Sequence, residues 1–107
     1  MYIIIETTSD SMSTCKNISQ NLLELKLSPC INISNKSNTQ YIWKEKILSD
    51  KEHTIRIKCL KHNKTEIINF IKQNHNYDTP EIISYKFDIL DKKYEEWFSK
   101  NSLNKND

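Results

Sequence analysis

Residues 54–60 read Thr-Ile-Arg-Ile-Lys-Cys-Leu, an alternating pattern on which the rest of the fold prediction depends. Every second side chain in it is apolar, which is the period of a strand that buries one face. Residues 46–48 are extended in the same way and belong to the same segment. Residues 30–33 and 40–43 form an earlier extended segment. Because only a few residues separate the two segments, we predict that they pair as an antiparallel hairpin.

The chain before this hairpin predicts one strand and one helix. Residues 2–8 are a short β-branched run, typical of a buried strand. Ser9 or Asp10 then caps a helix, which stops near Pro29 because proline disfavours α geometry in the residue before it. The predicted buried face of this helix has helical spacing and consists of Cys15, Ile18, Leu22 and Leu25.

The chain after the hairpin predicts a second helix, a fourth strand and a final helix. Asn63 and Glu66 are three residues apart, as in a capping box, and the helix they open ends near His75. Its apolar face carries Ile67, Ile68 and Ile71. Residues 81–87 form the fourth strand, and the aromatic residues between 94 and 98 indicate a short terminal helix.

The element order is therefore β-α-β-β-α-β followed by one helix. This order predicts an α+β, ferredoxin-like sandwich in which two helices cover one face of a four-stranded antiparallel sheet. The additions are an extra C-terminal helix and an extended hairpin between the second and third strands. We assign residues 1–100 to a single domain and expect 101–107 to be a polar, frayed tail.

Composition argues against several classes of protein. Acidic and basic residues are interleaved, the net charge is only +2, and Arg56 is the sole arginine, so we expect no nucleic-acid partner. No apolar run approaches the length of a membrane span, so we expect no membrane insertion. Three cysteines without close spacing do not form a disulfide framework, which favours a cytoplasmic location. Glycine is absent, so turns with positive φ must use other residues.

Catalytic patterns have little support, and we predict that the protein is not an enzyme. The third strand offers no aromatic side chain on which RNA bases could stack. The loop after the first strand, residues 7–10, lacks the basic group that an acylphosphatase-like anion site needs. The three thiols suit core packing better than nucleophilic catalysis. A Cys–His pair brought together by folding stays open.

The loop after the second predicted helix is unusually rich in side chains that can bind a ligand or a metal ion. His75, Tyr77 and Glu81 lie together there around the rigid Pro80. No spacing of the CxxC or HxxxH kind, which would be strong evidence for zinc, accompanies them. Two interpretations stay open for this loop: a ligand or metal site, and a hydrogen-bonded segment that ends the helix.

Four segments resemble one known family. Residues 75–82, His-Asn-Tyr-Asp-Thr-Pro-Glu-Ile, resemble the His-Pro-Tyr-x-x-Pro-Glu-Ile signature of the divalent-cation tolerance (CutA) proteins. Residues 26–33, Lys-Leu-Ser-Pro-Cys-Ile-Asn-Ile, are similar to the family's Lys-Leu-Ala-Ala-Cys-Val-Asn-Ile. Residues 41–47 resemble Tyr-x-Trp-x-Gly-Lys-Ile, with Glu in place of Gly at position 45, and 94–97 match Tyr-x-x-Trp. Each motif is weak alone, but four in register are specific.

The resemblance implies a tight homotrimer in which hairpin strands pair across subunits. It also implies a non-catalytic, cytoplasmic role in tolerance of copper and other divalent ions, or in binding a small ligand. We expect residues 33–56 to supply most of the interface, with Tyr41 and Trp43 as its anchors, and the trimer to be unusually thermostable. The alternative is a purely structural trimer without a metal site.

The resemblance also implies where a divalent metal ion such as copper would bind. The ligands proposed in the family are a Cys, a His and a Glu, and the matching positions here are Glu6, Asn74 and Glu81. Glu81 alone is retained, with His75 next to Asn74 as a substitute, so the candidate metal ligands are Glu6, His75 and Glu81. Three further residues are expected to line the same inter-subunit cleft: Lys58, Tyr77 and Trp43. Lys58 could instead neutralise the two carboxylates, which would make the cluster a structural ion pair.

Overall fold

The computed structural model describes residues 1–104. Within that range the chain forms five strands and three α-helices, and a 3₁₀ turn at Lys61–Asn63 precedes the second helix. In chain order they are β1 (Tyr2–Ser9), α1 (Met12–Glu24), β2 (Cys30–Ile33), β3 (Ser37–Trp43), β4 (Lys46–Leu60), α2 (Lys64–Asn74), β5 (Ile82–Phe87) and α3 (Lys92–Lys100). None of the helices in this part of the chain has the length and hydropathy needed to cross a bilayer.

The strands form one antiparallel sheet in the order β2-β4-β1-β5, and β3 extends it by pairing with β4. The ferredoxin-like α+β prediction is confirmed. The predicted second strand is divided into β2 and β3, whereas the predicted third strand is one continuous 15-residue element, β4. The inner half of β4 pairs with β1 and β2, and its outer half pairs with β3.

The main core lies between the sheet and the two helices α1 and α2. The alternation predicted for residues 54–60 is confirmed, because Ile55, Ile57 and Cys59 are fully buried. The helices contribute the other side of this core with Cys15, Ile18, Leu22, Ile67 and Ile71, all fully buried. The main core is thus formed by residues of one chain.

Helix α1 begins and ends differently from the prediction. Its N-cap is Ser11, whose side chain accepts a hydrogen bond from the backbone of Thr14 at 3.2 Å. Ser9 ends β1 instead, and its hydroxyl accepts from the Ser11 N–H at 3.1 Å. Leu25, predicted on the buried face, is 54% exposed because the helix stops at Glu24.

The chain reverses just after α1, and this reversal decides which leucine is buried. Lys26 has a φ of 57°, in the left-handed region that favours glycine. The turn brings Leu27, which is 4% exposed, into the core position that the helical spacing assigned to Leu25. The prediction was wrong because a helical period holds only while the helix continues.

The capping box predicted at α2 does not form. The Asn63 side chain caps no helix N–H and is fully buried, and its Nδ2 donates to the Leu103 carbonyl at 3.0 Å. The Leu103 N–H in turn donates to the Lys26 carbonyl at 2.6 Å, and Ser102 is buried. The first residues of the predicted tail are therefore held against the body. The rest of that prediction concerns residues 105–107, which lie outside the described residues.

Helix α3 covers one end of the other face of the sheet. Phe98 is fully buried there, with its ring 5.4 Å from Tyr2 and 6.1 Å from Phe87. The Tyr2 hydroxyl also donates to Glu95 at 2.6 Å. The remainder of this face, which we call the open sheet face, carries the exposed or partly exposed side chains of Glu6, Arg56, Ile83 and Tyr85.

The outer part of the β3–β4 pair extends beyond the body. We call residues 37–51 the projecting hairpin; its strands pair with each other, and β1 reaches no farther along β4 than His53. The molecule is correspondingly elongated, with extents of 47 × 27 × 21 Å. At the hairpin tip, Lys44 and Glu45 have φ values of 49° and 66°. The family pattern has a glycine in this turn. Here Lys44 and Glu45 form it, and their Cβ atoms make the left-handed conformation sterically unfavourable.

Candidate functional site

The loop that carries the family signature packs against the end of β1. His75 Nε2 donates to the Thr8 carbonyl at 2.8 Å, because a carbonyl oxygen can only accept. His75 Nδ1 accepts the backbone N–H of Tyr77 at 3.0 Å, and the two rings lie 4.9 Å apart. These two bonds define a neutral imidazole with its proton on Nε2.

The electrostatic surroundings agree with that assignment. Burial lowers the pKa of His75, while the Thr8 carbonyl and the carboxylates of Glu52 and Asp10 oppose this in part. Since both ring nitrogens already have partners, His75 has no lone pair left for a metal ion in this conformation.

Tyr77 links three separate parts of the chain. Its hydroxyl accepts the backbone N–H of Asp10 at 2.9 Å and donates to Glu52 Oε2 at 2.6 Å. Burial, together with the hydrogen bond to Glu52, raises the pKa of Tyr77, so the phenol stays protonated. The residue predicted to line an inter-subunit cleft is thus a connector within its own chain.

Asn76 occupies the position at which the family signature has proline, and its side chain forms two hydrogen bonds. The Ser9 hydroxyl donates to Asn76 Oδ1 at 2.6 Å, and Asn76 Nδ2 donates to Asp10 Oδ1 at 2.8 Å. Sequence reasoning missed Ser9, Asp10 and Glu52 as members of this group. No periodic signal could have found them, because Ser9 and Asn76 are 67 positions apart.

Glu6 has two side-chain partners on the open sheet face. Tyr85 donates to Glu6 Oε1 at 2.5 Å, and Arg56 Nε forms an ion pair with the same oxygen at 3.1 Å. The pKa of Glu6 is lowered chiefly by the Tyr85 hydrogen bond and also by Arg56, against an opposing effect of burial. The cation that pairs with Glu6 within the chain is therefore Arg56, whereas the sequence left Lys58 and a bound divalent ion as the two candidates.

The remaining predicted residues lie in different places. Glu81 is exposed just before β5, and the Asn74 side chain donates to the Phe70 carbonyl at 2.9 Å. Lys58 lines an open groove of about 350 Å³ beside α3, together with Phe87, Asp88, Ile89, Leu90, Asp91 and Tyr94. Trp43 is at the hairpin tip, opposite Lys46. At about 3.3 Å per strand residue, Lys46 and Lys58 are about 40 Å apart along β4, so one chain cannot bring Trp43 to Lys58.

The candidate metal ligands do not form a donor set within one chain. Among residues 1–104, no three His, Cys, Asp or Glu side chains are grouped closely enough to hold a metal ion. Glu6 and His75 each have two hydrogen-bond partners, and Glu81 is the member of the predicted set that stays exposed. Residues 1–104 by themselves therefore do not supply the ligand set that a metal ion needs.

Comparison with known proteins decides the family. A family model described as CutA1 divalent ion tolerance protein matches residues 3–101. The chain belongs to the CutA1 family. The resemblance drawn from the four motifs is thereby confirmed over nearly the whole chain.

Relatives from distant organisms match the chain along its length. The chloroplastic CutA protein of Arabidopsis thaliana is 28% identical over 102 residues, covering 95% of this chain and 56% of that protein. The chain thus spans about half the length of this plant relative. The divalent-cation tolerance protein CutA of Yersinia pestis (strain Pestoides F) is 25% identical over 101 residues, covering 94% of this chain and 85% of that protein. The crystal structure of the stable protein CutA1 from Shewanella sp. SIB1 superposes with a TM-score of 0.91 at 26% identity, covering 96% of each chain.

Proposed function

We propose that this chain works as a homotrimeric divalent-cation tolerance protein of the CutA type. The observation that carries the proposal is the apolar surface of the projecting hairpin, where Ile42, Trp43 and Ile47 are 75%, 51% and 79% exposed. An isolated two-stranded hairpin is only marginally stable in water, and contiguous exposed apolar surface marks an interaction site. A second copy of the chain is the partner that the family resemblance implies.

The distribution of free strand edges supports a closed ring. Of its two edges, strand β5 uses one to pair with β1, and the outer half of β4 uses one to pair with β3. Among the described strands, none pairs with the second edge of either. Unprotected edges are templates for pairing with another chain. Because the hairpin and a receiving edge such as β5 are different parts of the chain, the contact is heterologous, and heterologous contacts can close into rings.

Light scattering on the purified chain tests the assembly. We expect a mass of about 38 kDa, three times the 12.8 kDa of one chain, at micromolar concentration. A monodisperse species of 12.8 kDa would end the proposal.

We further propose that assembly, and not covalent cross-linking, is the source of high thermal stability. Cys15, Cys30 and Cys59 are free thiols, so no disulfide among them stabilises the chain. Burial between copies stabilises by mass action, so the melting temperature should fall on dilution and ignore reductant. A transition that ignores dilution but falls with reductant would contradict this source of stability.

We propose a non-catalytic role in a reducing compartment such as the cytoplasm. Burial raises the pKa of Cys15, and it raises the pKa of Cys59 to about 12, which suppresses the nucleophilic thiolate. Cys30 is only partly buried. In a thiol titration of the native protein we therefore expect Cys15 and Cys59 to stay unreactive until denaturant is added. Rapid reaction of either thiol in the native state would favour an enzyme.

Metal binding, in this proposal, depends on Glu81 acting with donors from a neighbouring copy. Isothermal titration of the assembled protein with Cu²⁺, Zn²⁺ and Mn²⁺ tests it. Glu81→Gln should cut the affinity sharply, whereas the control His62→Ala should not. Equal affinity of the wild type and Glu81→Gln would remove Glu81 from the site.

The second candidate function is a structural trimer without a metal site. It is favoured by a specific observation, namely that Glu6 and both nitrogens of His75 already have protein partners. Isothermal titration separates the two candidates. A structural trimer should have a mass of about 38 kDa by light scattering and should give no saturable heat with Cu²⁺, Zn²⁺ or Mn²⁺.

A further inference from the structure

The projecting hairpin joins the body through a β-bulge. Ile33 lies opposite Ile55, and Ser37 lies opposite Glu52. Residues 34–36 therefore face only two residues of β4, and such an extra residue bends the strand and increases its twist. The bulge is the point at which the direction of the hairpin relative to the sheet is set.

Two consecutive polar side chains are buried at this junction. Glu52 and His53 are each 7% exposed, although neighbouring side chains of a strand point to opposite faces. His53 Nδ1 donates to the Ser34 carbonyl at 2.8 Å, and the Thr54 N–H donates to Ser34 Oγ at 2.8 Å. One side of the junction is thus held by the bulge itself.

The other side of the junction is held by the signature loop. A buried carboxylate is costly without a hydrogen-bond partner, and Tyr77 supplies one to Glu52 at 2.6 Å. Tyr77 is fixed in turn by the N–H of Asp10 and by its own backbone bond to His75. The base of the hairpin is therefore attached to the turn between β1 and α1 through one phenol.

We propose that the loop formed by residues 75–77 is a latch that positions the projecting hairpin, with Tyr77 and Glu52 as its contact. Opening the Tyr77–Glu52 bond frees the bulge to bend, and the hairpin then loses the fixed direction it needs to meet a neighbouring copy. The latch itself is a property of one chain, and only its effect on assembly rests on the proposed function. In this arrangement Tyr77 is a positioning residue that acts through Glu52.

Hydrogen exchange measured by mass spectrometry tests the latch. Tyr77→Phe should speed exchange about tenfold in peptides covering residues 34–40 and 49–54, since a hydrogen bond to a charged group contributes about 1.5 kcal/mol or more. Peptides covering residues 2–8 should keep their protection. The matched control is Tyr2→Phe, which removes another Tyr–Glu hydrogen bond of 2.6 Å at the opposite end of β1 and should leave the hairpin peptides unchanged.

Two results would overturn the latch. The first is unchanged exchange at the junction in Tyr77→Phe. The second is a uniform loss of protection over hairpin and body, which would show a general contribution to stability and no positioning role. A Glu52→Ala variant sharpens the test, because it removes the acceptor of the Tyr77 hydroxyl, and Tyr77→Phe should then add little to exchange at the junction if the two residues act as a pair.

The mass of the wild-type protein in solution separates failure of the latch from failure of the proposed trimer. If the wild type is a trimer, Tyr77→Phe should raise its dissociation constant about tenfold, and an unchanged constant would overturn the link between latch and assembly. If the wild type is a monomer, the trimer proposal fails, and exchange at the junction still decides whether Tyr77 holds the base of the hairpin.

Discussion

The two halves of strand β4 differ in the burial of their side chains. In its inner half Ile55, Ile57 and Cys59 are fully buried against two helices. In its outer half residues 46–51 are all exposed, although they pair with β3 in perfect antiparallel register. The inner half pairs with a strand on each side, β1 and β2, and the helices cover it, whereas the outer half pairs with β3 alone among the described strands and leaves its side chains exposed. The main core is thus formed within one chain, whereas the side chains of the hairpin are left exposed by the residues that the structure describes.

The largest expected effect comes from a cavity in the body. Ile5→Ala should lower the free energy of unfolding by about 2–5 kcal/mol, because Ile5 is fully buried and its loss leaves a void. Urea unfolding at two protein concentrations measures it, and the cost should be the same at both. The matched variant Ile47→Ala should cost less than about 0.5 kcal/mol once dilution has separated the copies. A large cost at high dilution would mean that the hairpin is covered within one chain.

The next effect concerns the hairpin. Trp43→Ala should weaken assembly by about 2 kcal/mol or more, since large aromatic residues dominate interfaces. Light scattering would show the mass moving toward the 12.8 kDa of one chain. The control Leu23→Ala removes an apolar side chain that is 41% exposed on α1 and should leave the mass unchanged. Equal losses from both variants would show that the interface is not concentrated at the hairpin.

The next effect is a gain in stability from removing a buried hydroxyl, and the neighbouring residue provides the control. Thr7 is fully buried and its hydroxyl has no hydrogen-bond partner. Thr7→Val should therefore stabilise the body by about 1 kcal/mol, because an unsatisfied buried hydroxyl costs about that much. Thr8→Val changes the same chemistry at a partly exposed position, and its unfolding free energy should stay within about 0.5 kcal/mol of the wild type. A gain at Thr8 equal to that at Thr7 would refute the explanation.

The hairpin has its own defect at the turn. Glu45→Gly should stabilise the folded protein by up to about 1 kcal/mol, since glycine adopts the φ of 66° without the steric cost of a Cβ. Thermal unfolding measures the gain. Glu45→Ala removes the same carboxylate but keeps the Cβ, so it should bring no comparable gain. Equal gains would assign the effect to charge instead of backbone geometry.

The smallest effect is a pH dependence at the junction. Burial holds the pKa of His75 below its ordinary value, so the unfolded chain binds the proton more tightly than the folded one. The stabilisation is fully present above about pH 6.5 and is lost as the pH falls through the folded pKa. His75→Gln should lack this component, and urea midpoints from pH 7.5 to 5 compare the two slopes. Identical slopes would show that His75 contributes no such component.

Much of the fold followed from local pattern. The strand period, the helix faces and the order of elements were predicted, and so was the family, because these depend on residues near one another in sequence. The candidate site was predicted less well. The loop at 75–77 was singled out, but Thr8 as a partner of His75, Glu52 of Tyr77 and Arg56 of Glu6 were not, because these partners lie far away in the sequence.

The sequence was enough to predict the order of strands and helices, most of their apolar faces and the lack of a disulfide framework, whereas the ends of α1 and the division of the second strand were not predicted. The tertiary structure decided that Leu27 replaces Leu25 in the core, that Asn63 binds the C-terminal segment, and that Arg56 neutralises Glu6. It also decided that Tyr77 holds the base of the hairpin. Periodicity is a property of neighbouring residues and can be read along the chain. A hydrogen bond between residues 25 or 67 positions apart exists only after the sheet and the helices have fixed where each side chain points.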